Sequence, residues 1–329
     1  MIFSFRPACL LLPAAIFCSG ALRALPAGVD PALFPDATAR APVEIELAGL
    51  SVLYPGRVLH DAPLTPDAGN NGRAPQVWEL ARGEQAHWIS IVRIYDLEAS
   101  APKLAELLTH PNVILDLRYL ASNVTGAEAF ATALAKAGLA SAPLQAVGNV
   151  TAPASLPQGT VAEAHPLTAP PVLALVNGKT AGPLEAWLAA FQAKESLLAV
   201  GSATAGQPGV YKTTEAPTPY FVIAGELQPG GRSLAGTGLM PRFPVDVSPE
   251  QNYRVYMDVE RGAEPSTLLR HEAVAAPAQI GPPSSATNPS PVAVPKDDVG
   301  DPVLQRAVDI VAALQLLGRM PPSPGSAAG

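Results

Sequence analysis

Three hydroxyl side chains could act as nucleophiles, because each follows an apolar run that is typical of a buried strand. Ser122, Thr180 and Ser202 each come shortly after an apolar run, and Lys179 is next to Thr180. A hydroxyl attacks a carbonyl group only when a neighbouring base takes its proton. None of the three has a base at a spacing that a strand-turn-helix segment would support. We therefore favour hydroxyls of turns and strand ends, with a displaced nucleophile at one of these positions as the alternative.

Other residue types that often carry chemistry are scattered or have a structural interpretation. Asp116 and Arg118 close an apolar run, and we interpret them as a buried ion pair or as a carboxylate that accepts backbone N–H groups. The glycines of PGGRSLAGTG (229–238) lack the helix and the Lys-Ser/Thr pair of a phosphate loop, which makes this stretch a turn-rich loop. We expect no cofactor. No metal-ligand spacing relates the histidines, so a zinc site is not expected; they are His60, His87, His110, His165 and His271.

Strands and helices alternate along the middle of the chain. Apolar and β-branched runs predict strands at 87–97, 112–118, 170–177, 196–201 and 218–227. Helical spacing predicts helices over 100–110, 125–139 and 183–194, with Ser100 and Thr125 capping the first two. In the third helix we expect Gly182 at the N-cap, Pro183 first and Glu185 third. This alternation predicts an α/β fold of βαβ units around a parallel sheet.

The N-terminus has the pattern of a secretory signal peptide over residues 1–21. Arg6 precedes an apolar stretch, and Ser19-Gly20-Ala21 offers a cleavage site. Both cysteines, Cys9 and Cys18, lie in this segment, which excludes disulfides and thiolate chemistry in the mature chain. The net charge of −7 argues against nucleic-acid partners and anionic membrane surfaces. We expect a secreted or periplasmic protein without stable membrane insertion.

Composition divides the remainder of the chain. Residues 22–86 are rich in Pro, Ala and Asp and predict a small N-terminal extension, and residues 87–274 form the core. Residues 275–300 are a linker rich in Pro and Ser. Residues 301–318 resume a helix whose apolar face needs to dock on the core, and residues 319–329 are expected to be a disordered tail.

Four motifs occur in an order typical of one peptidase family. They are Asp116-Leu117-Arg118 at a strand end, Val176-Asn177 before a helix that contains Glu185, VGSATAGQPG (200–209) and PGGRSLAGTGLMP (229–241). In this order the chain resembles the tail-specific proteases, or carboxy-terminal processing serine peptidases, over residues 87–250 and 301–311. The resemblance implies a crotonase-like (ClpP-like) core. A PDZ domain, common in that family, is not clear in residues 22–86.

The resemblance also implies where catalytic groups would stand, and those positions are degenerate. The family nucleophile corresponds to Gly182, the general-base Lys to Gln207, and the Gln that supports it to Tyr211. An oxyanion-hole N–H is expected from the residue after the nucleophile, which is Pro183 and has none. We expect that Gly182→Ser alone will not restore hydrolysis and that Gln207→Lys and Pro183→Ala would also be needed.

Two functions remain open at this point. The first is an exported, catalytically inactive peptidase homologue, a pseudoenzyme that binds a peptide or a partner protein. The second is an active serine-type peptidase that carries out proteolysis through a displaced nucleophile at Thr180, Ser202 or Ser122. The ligand and the oligomeric state do not follow from the residues.

Overall fold

The computed structural model describes residues 43–47, 50–54, 58–59, 62–82, 87–148, 150, 171–213, 221–269 and 300–318. The predicted signal peptide, residues 275–299 of the predicted linker and the predicted tail lie outside the described residues, and so do His60, His165 and His271.

Seventeen strands and α-helices are described. In chain order the strands are β1 (Val43–Leu47), β2 (Leu50–Tyr54), β3 (Val58–Leu59), β4 (Gln76–Arg82), β5 (His87–Arg93), β6 (Val113–Asp116), β7 (Leu144–Gly148), β8 (Val172–Val176), β9 (Leu197–Gly201), β10 (Gly209–Thr213), β11 (Phe221–Pro229) and β12 (Phe243–Pro244). The α-helices are α1 (Leu97–Leu107), α2 (Val124–Lys136), α3 (Leu184–Gln192), α4 (Pro249–Glu260) and α5 (Pro302–Leu316). None of the described helices is long and apolar enough to cross a membrane.

A six-stranded sheet with the order β12-β9-β8-β6-β5-β4 lies at the centre. Its strands pair in parallel except at the edge, where β4 pairs with β5 in the antiparallel sense. The strands predicted at 87–97, 112–118, 170–177 and 196–201 correspond to β5, β6, β8 and β9, which are parallel neighbours in this sheet. The predicted parallel sheet is thus confirmed. The unbroken apolar runs of these strands are typical of parallel strands that are buried on both faces. The fold is therefore mixed α/β with a parallel sheet.

The helices cover both faces of this sheet. Alternate residues of the strands, such as Val92, Leu115 and Ala174, belong to one buried cluster together with apolar residues of α1, α2 and α3. The residues between them, such as Ile114 and Leu173, belong to a second cluster together with α5. Helix α3 turns an apolar face towards this sheet, and its large buried side chains are Leu184, Trp187, Leu188 and Phe191.

A second sheet is antiparallel and is built around β11. The strand β11 pairs with β10, β3 and β7. The strand predicted at 218–227 extends to Pro229. The strands β1 and β2 form a separate antiparallel hairpin within the predicted N-terminal extension.

Helix starts differ from the sequence prediction by one to three residues. The helix predicted to begin at Ser100 is α1, and its cap is Asp96, whose Oδ1 accepts from the N–H groups of Glu98 and Ala99 at 2.9 and 3.2 Å. The helix predicted with Thr125 as cap is α2, and Asn123 caps it by accepting from Gly126. The capping residue lies further upstream because Asp and Asn at these positions reach the free N–H groups of the first turn.

Helix α4 was not predicted from the sequence. Ser248 caps it by accepting from the N–H of Gln251, and Pro249 takes its first position. Both residues are standard start signals. The pattern was missed because only a few of its residues, Asn252, Val255 and Val259, are buried, so its apolar stripe is narrow.

Candidate functional site

The predicted site residues meet at the carboxyl edge of the parallel sheet. Three loops follow β6, β8 and β9 there, and main-chain contacts hold them side by side. Ala121 and Ala181 form an isolated parallel bridge. The N–H of Gly182 donates to the carbonyl of Gln207 at 3.0 Å, and the N–H of Ala205 donates to the carbonyl of Thr180 at 3.0 Å. The loops that carry Ser122, Gly182 and Gln207 are therefore in direct contact.

Gly182 occupies a backbone position that no side chain fits. Its φ is +87°, and a Cβ built on it would lie 2.2 Å from the carbonyl oxygen of Ser122 and 2.7 Å from its Oγ. Positive φ favours glycine, and the main-chain oxygen of a buried loop cannot move away as a flexible side chain would. With this backbone, a serine side chain does not fit at residue 182. The substitutions Gln207→Lys and Pro183→Ala, which we expect to be needed together with Gly182→Ser, leave this steric overlap in place.

The side chain of Ser122, which lies on a different loop, caps the start of helix α3. Its Oγ accepts from the N–H of Leu184 at 2.9 Å and donates to the carbonyl of Ala181 at 3.2 Å. The first N–H groups of a helix have no partner within the helix, so an oxygen from another loop satisfies one of them. The structure makes Pro183, rather than Gly182, the N-cap residue, and the Pro183 side chain gives no capping bond. Glu185 is consequently the second helical residue instead of the third.

The other two hydroxyl candidates differ in how they are held. Thr180 is fully buried, and its Oγ1 donates to the carbonyl of Leu117 at 2.9 Å and accepts from the N–H of Asn177 at 3.1 Å. It is a turn hydroxyl. Ser202 is half-buried after β9, and its Oγ forms no hydrogen bond to the part of the chain that the structure describes. Ser202 is therefore the only one of the three candidates whose hydroxyl group is not held by a hydrogen bond within the described residues.

Gln207 forms hydrogen bonds through its N–H, its carbonyl and its side-chain oxygen. Its N–H donates to Oε1 of Glu185 at 2.8 Å, and its carbonyl accepts from Gly182. Its side-chain Oε1 accepts from the N–H of Leu64 at 2.8 Å. An amide cannot act as a general base near neutral pH. Tyr211, at the position that the resemblance gives to a supporting Gln, packs against Ile223 and Ala235.

Glu185 is the buried carboxylate that fixes the loop after β9. Its Oε2 accepts from Oγ1 of Thr204 and from the N–H of Gly206, the latter at 2.8 Å, and its Oε1 accepts from the N–H of Gln207. Burial raises the pKa of Glu185 to about 7, although these donors act in the opposite direction. The sequence placed this residue in the first turn of a helix, where a carboxylate is favourable. It gave no sign of the loop contacts, because they join residues 19 to 22 positions apart.

Asp116 and Arg118 form the predicted buried ion pair. Nε and Nη2 of Arg118 each lie 2.9 Å from an oxygen of Asp116, and Nη2 of Arg93 lies 2.9 Å from Oδ2. Arg118 also reaches Oδ2 of Asp301 at 2.8 Å, and Asp301 caps α5. Burial alone would raise the pKa of Asp116, but the guanidinium groups of Arg118 and Arg93 hold it well below its usual range.

Asp116 and Arg118 are therefore structural, since all their charged atoms have partners. Sequence reasoning missed Arg93 and Asp301 as partners. Arg93 carried a usable signal, because it ends β5 opposite Asp116 in the parallel register. The position of Asp301 before Pro302 indicated a helix start, but it did not indicate that Arg118 would be its partner.

Metal-binding residues do not cluster within the described ranges. There, no three His, Cys, Asp or Glu side chains come close enough together to hold a metal ion. His110 is exposed after α1, and the imidazole of His87 is not among the described side chains.

Comparison with known proteins gave matches among solved structures only. No protein-family model matches the chain, and no curated protein matches it. A lipoprotein from Streptococcus agalactiae matches 61% of this chain over 76% of its own length, with 17% identity and a TM-score of 0.38. The photosystem II D1 C-terminal processing protease matches 58% of this chain over 47% of its own length, with 14% identity and a TM-score of 0.34.

A third match belongs to a peptidase family. A Bacteroides fragilis protein described as an S41 protease matches 62% of this chain, with 15% identity and a TM-score of 0.35. The chain spans 47% and 58% of the lengths of the two proteases. Solved structures similar to this chain thus include S41 peptidases, and the activities of those whole proteins are not assigned to it on this basis.

Proposed function

We propose that the chain is an exported homologue of the tail-specific proteases that does not hydrolyse peptides and instead binds a peptide or a partner protein. The observation that carries the loss of chemistry is the crowding at Gly182. The carbonyl of Ser122 stands 2.2 Å from where a nucleophile's Cβ would be. A single substitution cannot rebuild the site, because a neighbouring loop fills its space.

The surrounding groups support the same conclusion. Proton abstraction by a positioned base contributes about 10²–10⁴ to a rate, and Gln207 cannot provide it. An oxyanion-hole donor contributes about 10²–10³, and Pro183 has no N–H to offer. A hydrolytic site that lacks the nucleophile, the base and a donor has no route to an acyl intermediate.

Family membership and a crotonase-like core are part of this proposal. The support comes from the four sequence motifs in order and from the placement of their turns along one edge of a parallel sheet. Export rests on the pattern of residues 1–21. The division into extension, core, linker, C-terminal helix and tail also remains a proposal.

The ordered loops and the polar groups of the site support a role in binding. The three loops are held in register by main-chain hydrogen bonds, and Gln207 offers its side-chain oxygen to a main-chain N–H. Loops that are fixed side by side and carry polar groups are typical of binding sites. An extended peptide offers main-chain N–H groups to an acceptor such as the side-chain oxygen of Gln207, so peptides are the ligand class that we propose.

The test uses the purified mature chain and an immobilised library of unrelated peptides. We expect capture of a subset of peptides, with every captured peptide recovered at its original mass. A matched variant, Gln207→Glu, keeps the side-chain size and an oxygen acceptor but adds a charge, so its capture profile should change. Recovery of shortened peptides would contradict the loss of hydrolysis, and capture of no peptide would contradict the binding role.

A further inference from the structure

A short segment ahead of the core reaches the candidate site. Residues 62–67, here called the N-terminal strap, read APLTPD. The N–H of Leu64 in the strap donates to Oε1 of Gln207 at 2.8 Å, across 143 positions of sequence. Pro63 and Leu64 are half-buried, whereas Ala62, Thr65 and Pro66 are exposed. The strap therefore touches the site at one defined point.

The main chain of Gln207 is fixed at that point. Its N–H donates to Glu185 and its carbonyl accepts from the N–H of Gly182, so the peptide groups on both sides of residue 207 are held. Only its side chain extends towards the strap. A side-chain oxygen that accepts a main-chain N–H recognises an extended chain without regard to its side chains.

The strap has the backbone properties of a bound peptide. Pro63 and Pro66 cannot donate a hydrogen bond, so between them only Leu64 and Thr65 offer an N–H. Residues that precede a proline, here Ala62 and Thr65, favour extended backbone. The two prolines thus limit the N–H donors of residues 63–66 to Leu64 and Thr65, and they reduce the entropy lost when the strap is ordered.

We infer that Oε1 of Gln207 is the atom of this site that recognises a peptide backbone, and that the strap is its intramolecular occupant. The ligand class is an extended peptide with a free main-chain N–H, which competes with Leu64 for the same oxygen. This inference rests on the proposed binding function. It names the atom that recognises the peptide, and it implies that an external peptide must displace the strap from Gln207.

The first experiment measures the strap directly. Hydrogen exchange should show slowed exchange of the Leu64 amide in the full mature chain and fast exchange in Gln207→Ala, since that variant removes the acceptor and leaves the main-chain bonds of residue 207 in place. Equal exchange rates in the two proteins would overturn the inference.

The second experiment adds a fluorescent peptide of residues 62–70, APLTPDAGN, to full-length variants. Leu64→Pro removes the donor of the strap, and Thr65→Pro is the matched control, because it adds a proline while the N–H of residue 64 stays. One hydrogen bond is worth about a three- to tenfold change in affinity. We expect Leu64→Pro to bind the peptide about three- to tenfold more tightly than the wild type and Thr65→Pro do, and Gln207→Ala to abolish this gain.

The outcomes separate this inference from the proposed function. Equal peptide affinity in Leu64→Pro and Thr65→Pro, or a gain that survives Gln207→Ala, would overturn the role of Gln207 and the strap, while peptide capture by the library would still stand. Absence of binding by every variant, to this peptide and to the library, would overturn both.

Discussion

At the scale of single residues, the site is defined by one glycine and one serine. Gly182 has positive φ, and the backbone of Ser122 fills the space in front of it. Ser122 itself is bound to Leu184 and Ala181. These contacts keep the geometry of a helix start while they remove the space that a nucleophile needs.

Gly182→Ala should lower the free energy of unfolding by more than about 2 kcal/mol, because strained backbone and steric overlap add. Gly178→Ala is the matched control. A Cβ there would have only Ala203 O within 4 Å, at 3.8 Å, so a change within about 0.5 kcal/mol is expected. Urea unfolding of both variants tests this. Equal stability of the two variants would mean that the space at residue 182 is open.

Glu185 should give the protein a pH dependence of stability. Burial raises its pKa to about 7 from an ordinary value of 4.5. A carboxyl group with a raised pKa binds a proton more tightly in the folded state. Its contribution to stability is therefore full below about pH 4.5 and is lost as the pH rises through about 7, by roughly 3 kcal/mol.

The measurement is urea unfolding at several pH values between 4 and 8. Glu185→Gln resembles the protonated carboxyl group and cannot ionise, so the stability of the wild type relative to this variant should decline across that window. Parallel pH profiles for the two proteins would show that Glu185 does not titrate there.

At the residue scale, the sequence itself gives the residue types Gly182, Pro183 and Gln207. The loss of a nucleophile, an oxyanion donor and a base at these positions depends on the resemblance and stays a prediction. The crowding by Ser122 and the contact between Leu64 and Gln207 could not be predicted. They depend on loops that are far apart in sequence, and hydrogen bonds of this kind leave no periodic pattern.

At the scale of elements, apolar periodicity carried most of the information. The buried strands β6, β8 and β9 stood out because both of their faces are covered. Helix starts were less accurate, because several Ser, Thr, Asn and Asp residues competed as caps. For α1 the sequence predicted Ser100, whereas Asp96 is the residue whose side chain reaches the free N–H groups.

Leu188→Ala in α3 should destabilise the fold by about 2–5 kcal/mol, because Leu188 is fully buried and a cavity would remain. The matched control is Leu316→Ala in α5, where the side chain is 90% exposed and a change within about 0.5 kcal/mol is expected. Chemical denaturation measures both. A similar loss at the two positions would contradict the assigned inner face of α3.

At the scale of the whole molecule, the parallel sheet is covered from both sides by segments distant in sequence. Helices α1, α2 and α3 cover one face and α5 covers the other. The ion pair between Arg118 and Asp301 joins α5 to the edge of the sheet that carries the candidate site. The sequence indicated that α5 must dock, because its apolar stripe needs a partner, but it did not indicate the face.

Truncation after residue 297 should lower the melting temperature by about 10 °C or more, since it uncovers apolar residues of the sheet such as Ile114 and Leu173 and leaves Arg118 without Asp301. Truncation after residue 318 retains α5 and serves as the control. Scanning calorimetry of the two proteins measures the difference. An unchanged melting temperature after truncation at 297 would show that α5 is dispensable.

The central claim, that this peptidase-like site is catalytically silent, is tested most directly by turnover and labelling of the mature chain. The assay combines an unfolded protein substrate with a fluorophosphonate probe and includes Ser202→Ala, Thr180→Val and the triple variant Gly182→Ser/Pro183→Ala/Gln207→Lys. We predict no product and no covalent label for any of these proteins, because residue 182 is Gly in all but the triple variant, and in that variant the carbonyl of Ser122 overlaps the new side chain. Labelling of the wild type that Ser202→Ala or Thr180→Val abolishes would contradict the account.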